Sequence, residues 1–278
     1  MDKNSQIAKA ERFRALHDRR TPLLLPNAWD AASARVFAEL GFAAIATTSG
    51  GVAWSLGYAD GEAAPLTEVV AATRRIVRTT SLPVTADFES GFGNTPEAVK
   101  VNVGAIIGAG VAGINLEDGL HHVALREIDD AARRVAAARK AAQDAGVPIV
   151  INARVDVWML PPGANDAGRV DEAVRRARAY LAAGADCVYP IGLADRDTIA
   201  ALTRVIDAPI NVGVRPGLPD MAELARIGVA RVSTATRLAA VAYSAARDAA
   251  RAMRASGRFD ALGAATGYAD LQRLFTKT

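Results

Sequence analysis

The sequence predicts an α/β protein of the (β/α)8 TIM-type barrel class, and three observations carry that reading. Eight short strand-forming runs alternate with Ala- and Arg-rich segments of helical period along the 278 residues. Helical segments stop repeatedly at a glycine (Gly41, Gly110, Gly146, Gly184 and Gly228), and the next strand starts almost at once. Polar residues gather at the strand ends, whereas the strand starts are apolar or follow Gly and Pro. That one-sided distribution is expected when the C-terminal rim of a barrel carries the function. A doubly wound open sheet would show fewer units and a glycine-rich first turn, but the first turn here is Pro26-Asn27-Ala28-Trp29-Asp30, without G-x-G-x-x-G. With 51% hydrophobic residues the chain can bury one large core, so a single barrel domain over 1–278 is expected.

In chain order, a leading helix falls within 1–20 and strand one at 22–25, followed by a helix over 28–40 that Gly41 stops. Strand two, 43–47, runs into Thr47-Thr48-Ser49-Gly50-Gly51, read as a turn, and a helix over 66–80 follows. Strand three at 84–88 precedes a helix over 96–109; strand four at 113–117 precedes one over 128–145. Strand five at 149–153 leads to a helix over 170–183, and strand six at 187–190 to one over 195–205. Strand seven, 210–212, and a short helix, 219–226, lead to strand eight at 231–234 and a last long helix over 235–255. The amphipathic stretch 259–278, like the leading helix, is expected outside the barrel as a cap or an oligomer contact.

The charge balance, 33 Lys and Arg against 30 Asp and Glu, is scattered over helical segments, with no basic block interleaved with aromatics, which argues against a nucleic-acid partner. The single cysteine, Cys187, rules out an intramolecular disulfide and suits a reducing compartment. The charged first residues carry no signal-peptide core, and no run approaches the length needed to cross a bilayer, so a cytoplasmic protein without a membrane partner is expected.

The stretch PVTADFESGFGN raises the central question. Residues two apart on a strand face the same way, so Asp87 and Glu89 point to one spot, with Glu117 at the tip of the neighbouring strand. Three close carboxylates repel, and burial adds to the penalty. A hard divalent cation relieves both, and an oxygen-only ligand set suits Mg²⁺ or Mn²⁺. The alternative is a plain ion network with Arg154 and other arginines. Arg154 itself has two readings: a fork that holds a substrate carboxylate, or a salt bridge to Glu117 or Asp156. Ser49, Gly50 and Gly51 offer a hydroxyl and backbone N–H groups that could cradle an anion. Asn211, at strand seven, either touches substrate or bonds to the backbone. His121 and His122, in the loop after Glu117, are either an acid–base pair or exposed loop residues, and Trp54 and Tyr58 either line the mouth or pack the lid.

Four blocks in fixed order, NAWDAASARVFAELGFAAIATTSGGVAWSLGYADGE, PVTADFESGFGN, INLEDG and INARVDVW, resemble the isocitrate lyase/phosphoenolpyruvate mutase superfamily over nearly the whole chain. The resemblance implies a barrel whose eighth helix is exchanged between subunits, in a homodimer or homotetramer. It also implies Mg²⁺ dependence and 2-oxo or 2-hydroxy acid substrates. It makes Asp87 the principal metal ligand, directly or through water, with Glu89 and Glu117 completing the shell. Ser49, Gly50 and Gly51 would bind the substrate carboxylate, Arg154 would steady the oxyanion end, and Asp60 would sit on a loop that closes over the site. The loop LEDGLHHVALREID departs from the family: it has neither the Lys-x-Cys-Gly-His of the isocitrate and methylisocitrate lyases nor the Lys and Asn of the phosphonate-forming mutases. The expectation is therefore a Mg²⁺-dependent lyase that cleaves a C–C bond in a small 2-hydroxy or 2-oxo dicarboxylate through an enolate. The alternatives are P–C chemistry, as a phosphoenolpyruvate mutase or phosphonopyruvate hydrolase, or a barrel that binds 2-oxo acids with little turnover.

Overall fold

The structure is a computed structural model that describes residues 2–120, 123–161 and 168–276. Its strands are β1 (Leu23–Leu25), β2 (Asn27–Ala28), β3 (Ile45–Thr47), β4 (Val84–Asp87), β5 (Gly113–Glu117), β6 (Gly119–Leu120), β7 (Ala124–Leu125), β8 (Val150–Val155), β9 (Cys187–Pro190), β10 (Asn211–Gly213) and β11 (Arg231–Ser233). Two parallel sheets, β1-β11-β10 and β2-β3-β4-β5-β8-β9, are the two halves of one barrel. They join through Pro26, which interrupts the first strand because it has no N–H to give a ladder. They join again through a parallel bridge between Val188 and Ile210, where the Val188 N–H donates to the Pro209 carbonyl at 3.0 Å. Asn27 sews the seam: its Nδ2 donates to the Thr47 carbonyl at 2.7 Å, and its Oδ1 accepts from the Ala235 N–H at 3.0 Å. All eight expected strands are therefore present in order, and β6 and β7 add a small antiparallel ribbon after the fourth.

The helices are α1 (Lys3–Ala15), α2 (Ala31–Glu39), α3 (Ser49–Leu56), α4 (Leu66–Arg78), α5 (Pro96–Ile107), α6 (Ile128–Ala145), α7 (Arg169–Ala182), α8 (Arg196–Val205), α9 (Met221–Arg226), α10 (Arg237–Ser256) and α11 (Tyr268–Thr276). The helix expected from residue 28 starts at Ala31, because Asn27 and Ala28 stay in the strand and Asp30 is the N-cap. The Asp30 carboxylate accepts the Ser33 N–H at 2.7 Å in a capping box, so this acid serves the helix end rather than the rim. Gly146, at φ 63°, shows why glycine ends these helices: α6 closes there in a left-handed turn and the chain reverses into β8.

One continuous core of Ile, Val, Leu and Ala surrounds and fills the barrel. The leading helix α1 plugs its N-terminal end. Gln6 donates to the Ile107 and Val111 carbonyls at 2.8 and 3.0 Å, and Phe13 is fully buried 5.7 Å from the Arg231 guanidinium. Inside the barrel lies a buried polar layer. Asn152 Nδ2 donates to Asn115 Oδ1 at 2.9 Å, Arg231 Nη2 donates to the same oxygen at 3.2 Å, and Ser233 Oγ donates to Asn211 Oδ1 at 3.0 Å. Asn211, expected either to touch substrate or to bond to the backbone, instead accepts from Ser233. β10 begins at Asn211, level with Arg231 in the register, so Asn211 belongs to the barrel interior and not to the rim; Asn152 is likewise mid-strand.

The last long helix behaves differently from the others. Only Ala239 of α10 is buried; Val241 is 65% exposed, and on β1 the outward-facing Leu24 is 36% exposed. α10 starts against Trp29 and Trp54 through Tyr243, with ring centroids 6.2 and 6.4 Å apart, and then leaves its own barrel largely uncovered. The tail helix α11 packs instead against α2.

Candidate active site

The rim of the barrel assembles from four consecutive strand ends. β3 ends at Thr47, and Ser49, Gly50 and Gly51, expected as a turn, are the first turn of α3. The first N–H groups of a helix have no partner within it, so the helix start offers them to an anion. The Ser49 N–H already donates to Asp87 Oδ2 at 3.2 Å. Packing explains the glycines: a Cβ on Gly50 would stand 3.0 Å from Asp60 Oδ2, and one on Gly51 would meet Thr48 Cγ2 at 2.6 Å and Trp29 Cβ at 2.8 Å.

Asp87 ends β4 and is held by its neighbours. Its N–H donates to Thr47 Oγ1 at 2.9 Å, and its Oδ1 accepts from Asn115 Nδ2 at 3.2 Å. Glu89, two residues on, is buried, and its Oε2 accepts the Glu62 N–H at 2.6 Å. Burial, then the charges of Asp60 and Asp87, push its carboxyl up to about 8. Glu117 ends β5 and forms an ion pair with Arg154; burial raises its pKa well above the carboxylate range against the pull of that guanidinium. Arg154 also grips Asp156 with a fork, Nε to Oδ1 at 2.7 Å and Nη2 to Oδ2 at 2.6 Å. Of the two readings of Arg154, the salt bridge is the one present, and it engages both Glu117 and Asp156. Asp156 is in turn tied through its N–H to Asp118 Oδ1 at 2.9 Å.

The segment that carries Asp60 folds over these groups. Asp60 is hydrogen-bonded with Ser49, and burial followed by the Asp87 charge raises its carboxyl. Glu62 is the closure's latch: its Oε1 accepts from the Ser90 N–H at 3.0 Å, the Ser90 hydroxyl at 2.8 Å and the Phe92 N–H at 2.8 Å. Glu62, Glu89 and Phe92 have φ of 61°, 49° and 53°, the left-handed region that costs a non-glycine residue of order 1–3 kcal/mol. Together the rim and this segment enclose a cavity of about 360 Å³, lined by Ser49, Asp60, Glu62, Glu89, Glu117 and Arg154, with Ser90, Asn94 and Arg126 on one wall.

Asp60, Asp87, Glu89 and Glu117 thus come together with Ser49 and Arg154, as expected. Their arrangement corrects the expected metal shell in one respect: among the described residues, no three His, Cys, Asp or Glu side chains stand close enough to hold an ion by themselves. Glu117 is turned to Arg154 and Glu89 to the Glu62 N–H. The donors present still fit a hard cation that keeps most of its water. All are oxygen, Asp87 accepts only neutral N–H groups in the hydrogen bonds that hold it, and Mg²⁺ commonly takes only one or two carboxylates directly.

Trp54 and Tyr58 do not line the cavity; Trp54 stacks on Tyr243, and the Tyr58 hydroxyl donates to Glu68 Oε1 at 3.0 Å. His121 and His122 lie outside the described residues. Cys187 is fully buried in the barrel wall, where burial pushes its thiol up to about 12, far from a reactive nucleophile. Sequence reasoning missed Glu62, Ser90, Asn94 and Arg126. Glu62 left a signal in the run Gly57-Tyr58-Ala59-Asp60-Gly61-Glu62, where a second acid follows Asp60 at the spacing that pairs Asp87 with Glu89.

A closed parallel barrel with a carboxylate-lined cavity at the C-terminal rim of its strands defines a barrel of the enzyme class. The chain belongs to the phosphoenolpyruvate phosphomutase family, whose sequence profile matches residues 13–254, within the isocitrate lyase/phosphoenolpyruvate mutase superfamily of lyases and mutases. It is 31% identical over 274 residues to an oxaloacetate decarboxylase of Chromohalobacter salexigens, covering 93% of this chain and 91% of that one. Among solved structures, a provisionally assigned phosphonomutase of Burkholderia cenocepacia J2315 is 42% identical, with a TM-score of 0.83 over 91% of this chain and 100% of that one. An oxaloacetate acetylhydrolase bound to its product oxalate is 25% identical, with a TM-score of 0.85 over 96% and 94% of the two chains.

Proposed function

We propose that the protein is a divalent-metal-dependent lyase that cleaves a C–C bond in a small 2-oxo or 2-hydroxy dicarboxylate, with oxaloacetate the first substrate to try. The observation that carries this is the rim itself: Asp60, Glu89 and Glu117 line one cavity, Asp87 stands beside them on the Ser49 N–H, and Glu117 forms the ion pair with Arg154. Asp87, with Glu89 and Glu117 reached through water, would hold Mg²⁺ or Mn²⁺. When bound, the cation supplies positive charge to the oxygens of a 2-oxo acid as an enolate develops. The N–H groups of Gly50 and Gly51, which have no partner within the helix, and the Ser49 hydroxyl, once it turns from Asp60, receive the substrate carboxylate. Arg154, fixed by Asp156, holds Glu117 in place at the wall of the same cavity. The Asp60–Glu62 segment covers the site and excludes water.

The oxaloacetate decarboxylase and the oxaloacetate acetylhydrolase among the relatives support this substrate class. A panel of small oxo and hydroxy diacids assayed with Mg²⁺ tests it. Turnover that depends on metal and is lost in Asp87→Ala is the expected result, and activity retained in chelator contradicts it. The 42% identity to the Burkholderia protein favours a second reading, P–C bond chemistry, which a phosphorus NMR assay with phosphonopyruvate separates from the first.

The exposed α10 and the uncovered Leu24 support the further reading that the eighth helix packs on a second copy of the chain, in a homodimer or homotetramer.

A further inference from the structure

Arg154 spends its guanidinium on Glu117 and Asp156, which leaves a second arginine in the cavity wall to consider. Arg126 follows the β6–β7 ribbon and lines the same cavity. In the strand order β3-β4-β5, the α3 N-terminus follows β3, Asp87 and Glu89 follow β4, and Arg126 sits in the excursion after β5. Two anion-receiving groups therefore flank the carboxylates of β4.

The backbone of Arg126 is pinned on both sides. Its N–H donates to the Asp118 carbonyl at 2.9 Å, and its carbonyl accepts from Arg176 Nη1 at 2.8 Å. The node behind it is rigid: the buried Asp118 carboxylate also accepts from Arg176 at 3.0 Å and from the Tyr180 hydroxyl at 2.6 Å. The side chain, by contrast, is poorly used. Its buried Nε has no hydrogen-bond partner among the described residues, Nη2 reaches the Ser90 hydroxyl only at 3.5 Å, and Nη1 lies 3.7 Å from Asp130. Asp130 is shared with Arg133 at 3.4 Å and Arg134 at 3.0 Å, so one carboxylate faces three guanidinium groups. A backbone held this firmly beneath an underused fork is a preorganised anion site.

We propose that Arg126 is a specificity-determining residue that receives the distal carboxylate of the substrate, while the α3 N-terminus receives the carboxylate next to the reacting carbon. This rests on the dicarboxylate reading above and deepens it. The enzyme would select diacids whose carboxylates are separated by intervening carbons over monoacids, and the loop after Glu117 would contribute to the site through Arg126.

Calorimetric binding of two stable probes in the presence of Mg²⁺ tests the proposal. Oxalate has adjacent carboxylates and fills only the inner place; malate has a second carboxylate two carbons further on. Arg126→Met should weaken malate by about tenfold or more, the loss of one charge-assisted contact, and leave oxalate within about twofold. Arg126→Lys, which keeps the charge but not the fork, should recover part of the malate affinity and stands in if the Met variant does not fold. Equal weakening of both probes, or malate binding unchanged, would overturn the assignment. Failure of the wild-type protein to bind oxalate with Mg²⁺ would instead overturn the dicarboxylate site itself, and the distal subsite with it.

Discussion

Asp87, Glu89 and Glu62 set the behaviour of the site at the scale of single side chains. The Glu89 carboxyl is pushed up to about 8, chiefly by burial, while in the unfolded chain it ionises near 4.5. Across that window the folded, metal-free protein holds a proton that the unfolded chain has lost, so its stability should fall as pH rises from about 4.5 through about 8. Urea midpoints in chelator, measured at the two ends of the window, check this. Metal binding displaces the same proton, so cation affinity should climb with pH and level off above about 8. Glu62 makes a separate prediction. Its one oxygen accepts three hydrogen bonds that hold the cover closed, so Glu62→Ala should raise KM and speed proteolysis within 58–65, for a loss of about 1–3 kcal/mol of closure. At this scale Asp87 and Glu117 are legible as strand tips, and Glu89 from its spacing to Asp87, although β4 stops at Asp87 and Glu89 lies just past it. The pairing of Arg154 is left open by the sequence, because it depends on the β5–β8 register that sets Glu117 opposite Arg154. Arg126 is hidden because only the folded chain shows that its Nε has no hydrogen-bond partner among the described residues.

At the scale of elements, strands and most helices followed from hydrophobic period and glycine punctuation, and the misreadings have local causes. Ser49–Leu56 opens with two glycines, poor helix formers, and reads as a turn; tertiary contact with Trp29, Thr48 and Asp60 makes it a helix start. A strand over 210–212 puts Asn211 near its end, but the ladder runs from Asn211 to Gly213 and sinks the side chain into the interior. α10 is the element whose partner is missing from its own barrel. If a second copy covers it, light scattering should show a dimer or larger assembly at micromolar concentration. Val241→Asp should then weaken the assembly and lower Tm. A monomer with unchanged Tm would remove the exchanged helix from the account.

The whole molecule is a barrel whose two ends are specialised in opposite ways. The N-terminal end is sealed by α1, with Phe13 packed against Gly113 and Arg231; a Cβ on Gly113 would stand 2.8 Å from the Val150 carbonyl and 2.9 Å from the Phe13 ring. Gly113→Ala should therefore destabilise the fold by about 1–3 kcal/mol, read as a shifted urea midpoint, while leaving ligand affinity of the surviving protein unchanged. The C-terminal end concentrates Asp60, Glu62, Glu89 and Glu117 around a cavity, and burial raises the pKa values of Asp60, Glu89 and Glu117 there. The charged end is visible in the sequence as the acids at strand ends, whereas Asn115, Asn152, Asn211 and Arg231 form an interior polar layer that the strand ends do not reveal. Of the two expectations for the leading helix, a cap or an oligomer contact, the structure shows it against the barrel end, where Gln6, Ala10 and Phe13 form the buried face of an otherwise largely polar helix.

The most direct measurement is a Mn²⁺ titration of the wild-type protein and of Asp87→Asn, followed by electron paramagnetic resonance, with and without oxalate. A carboxylate rim built to hold a divalent cation predicts one Mn²⁺ per chain, oxalate binding that requires it, and loss of both in the variant while the circular dichroism spectrum stays the same. Oxalate bound with equal affinity in chelator, or Mn²⁺ bound equally by the variant, would contradict it.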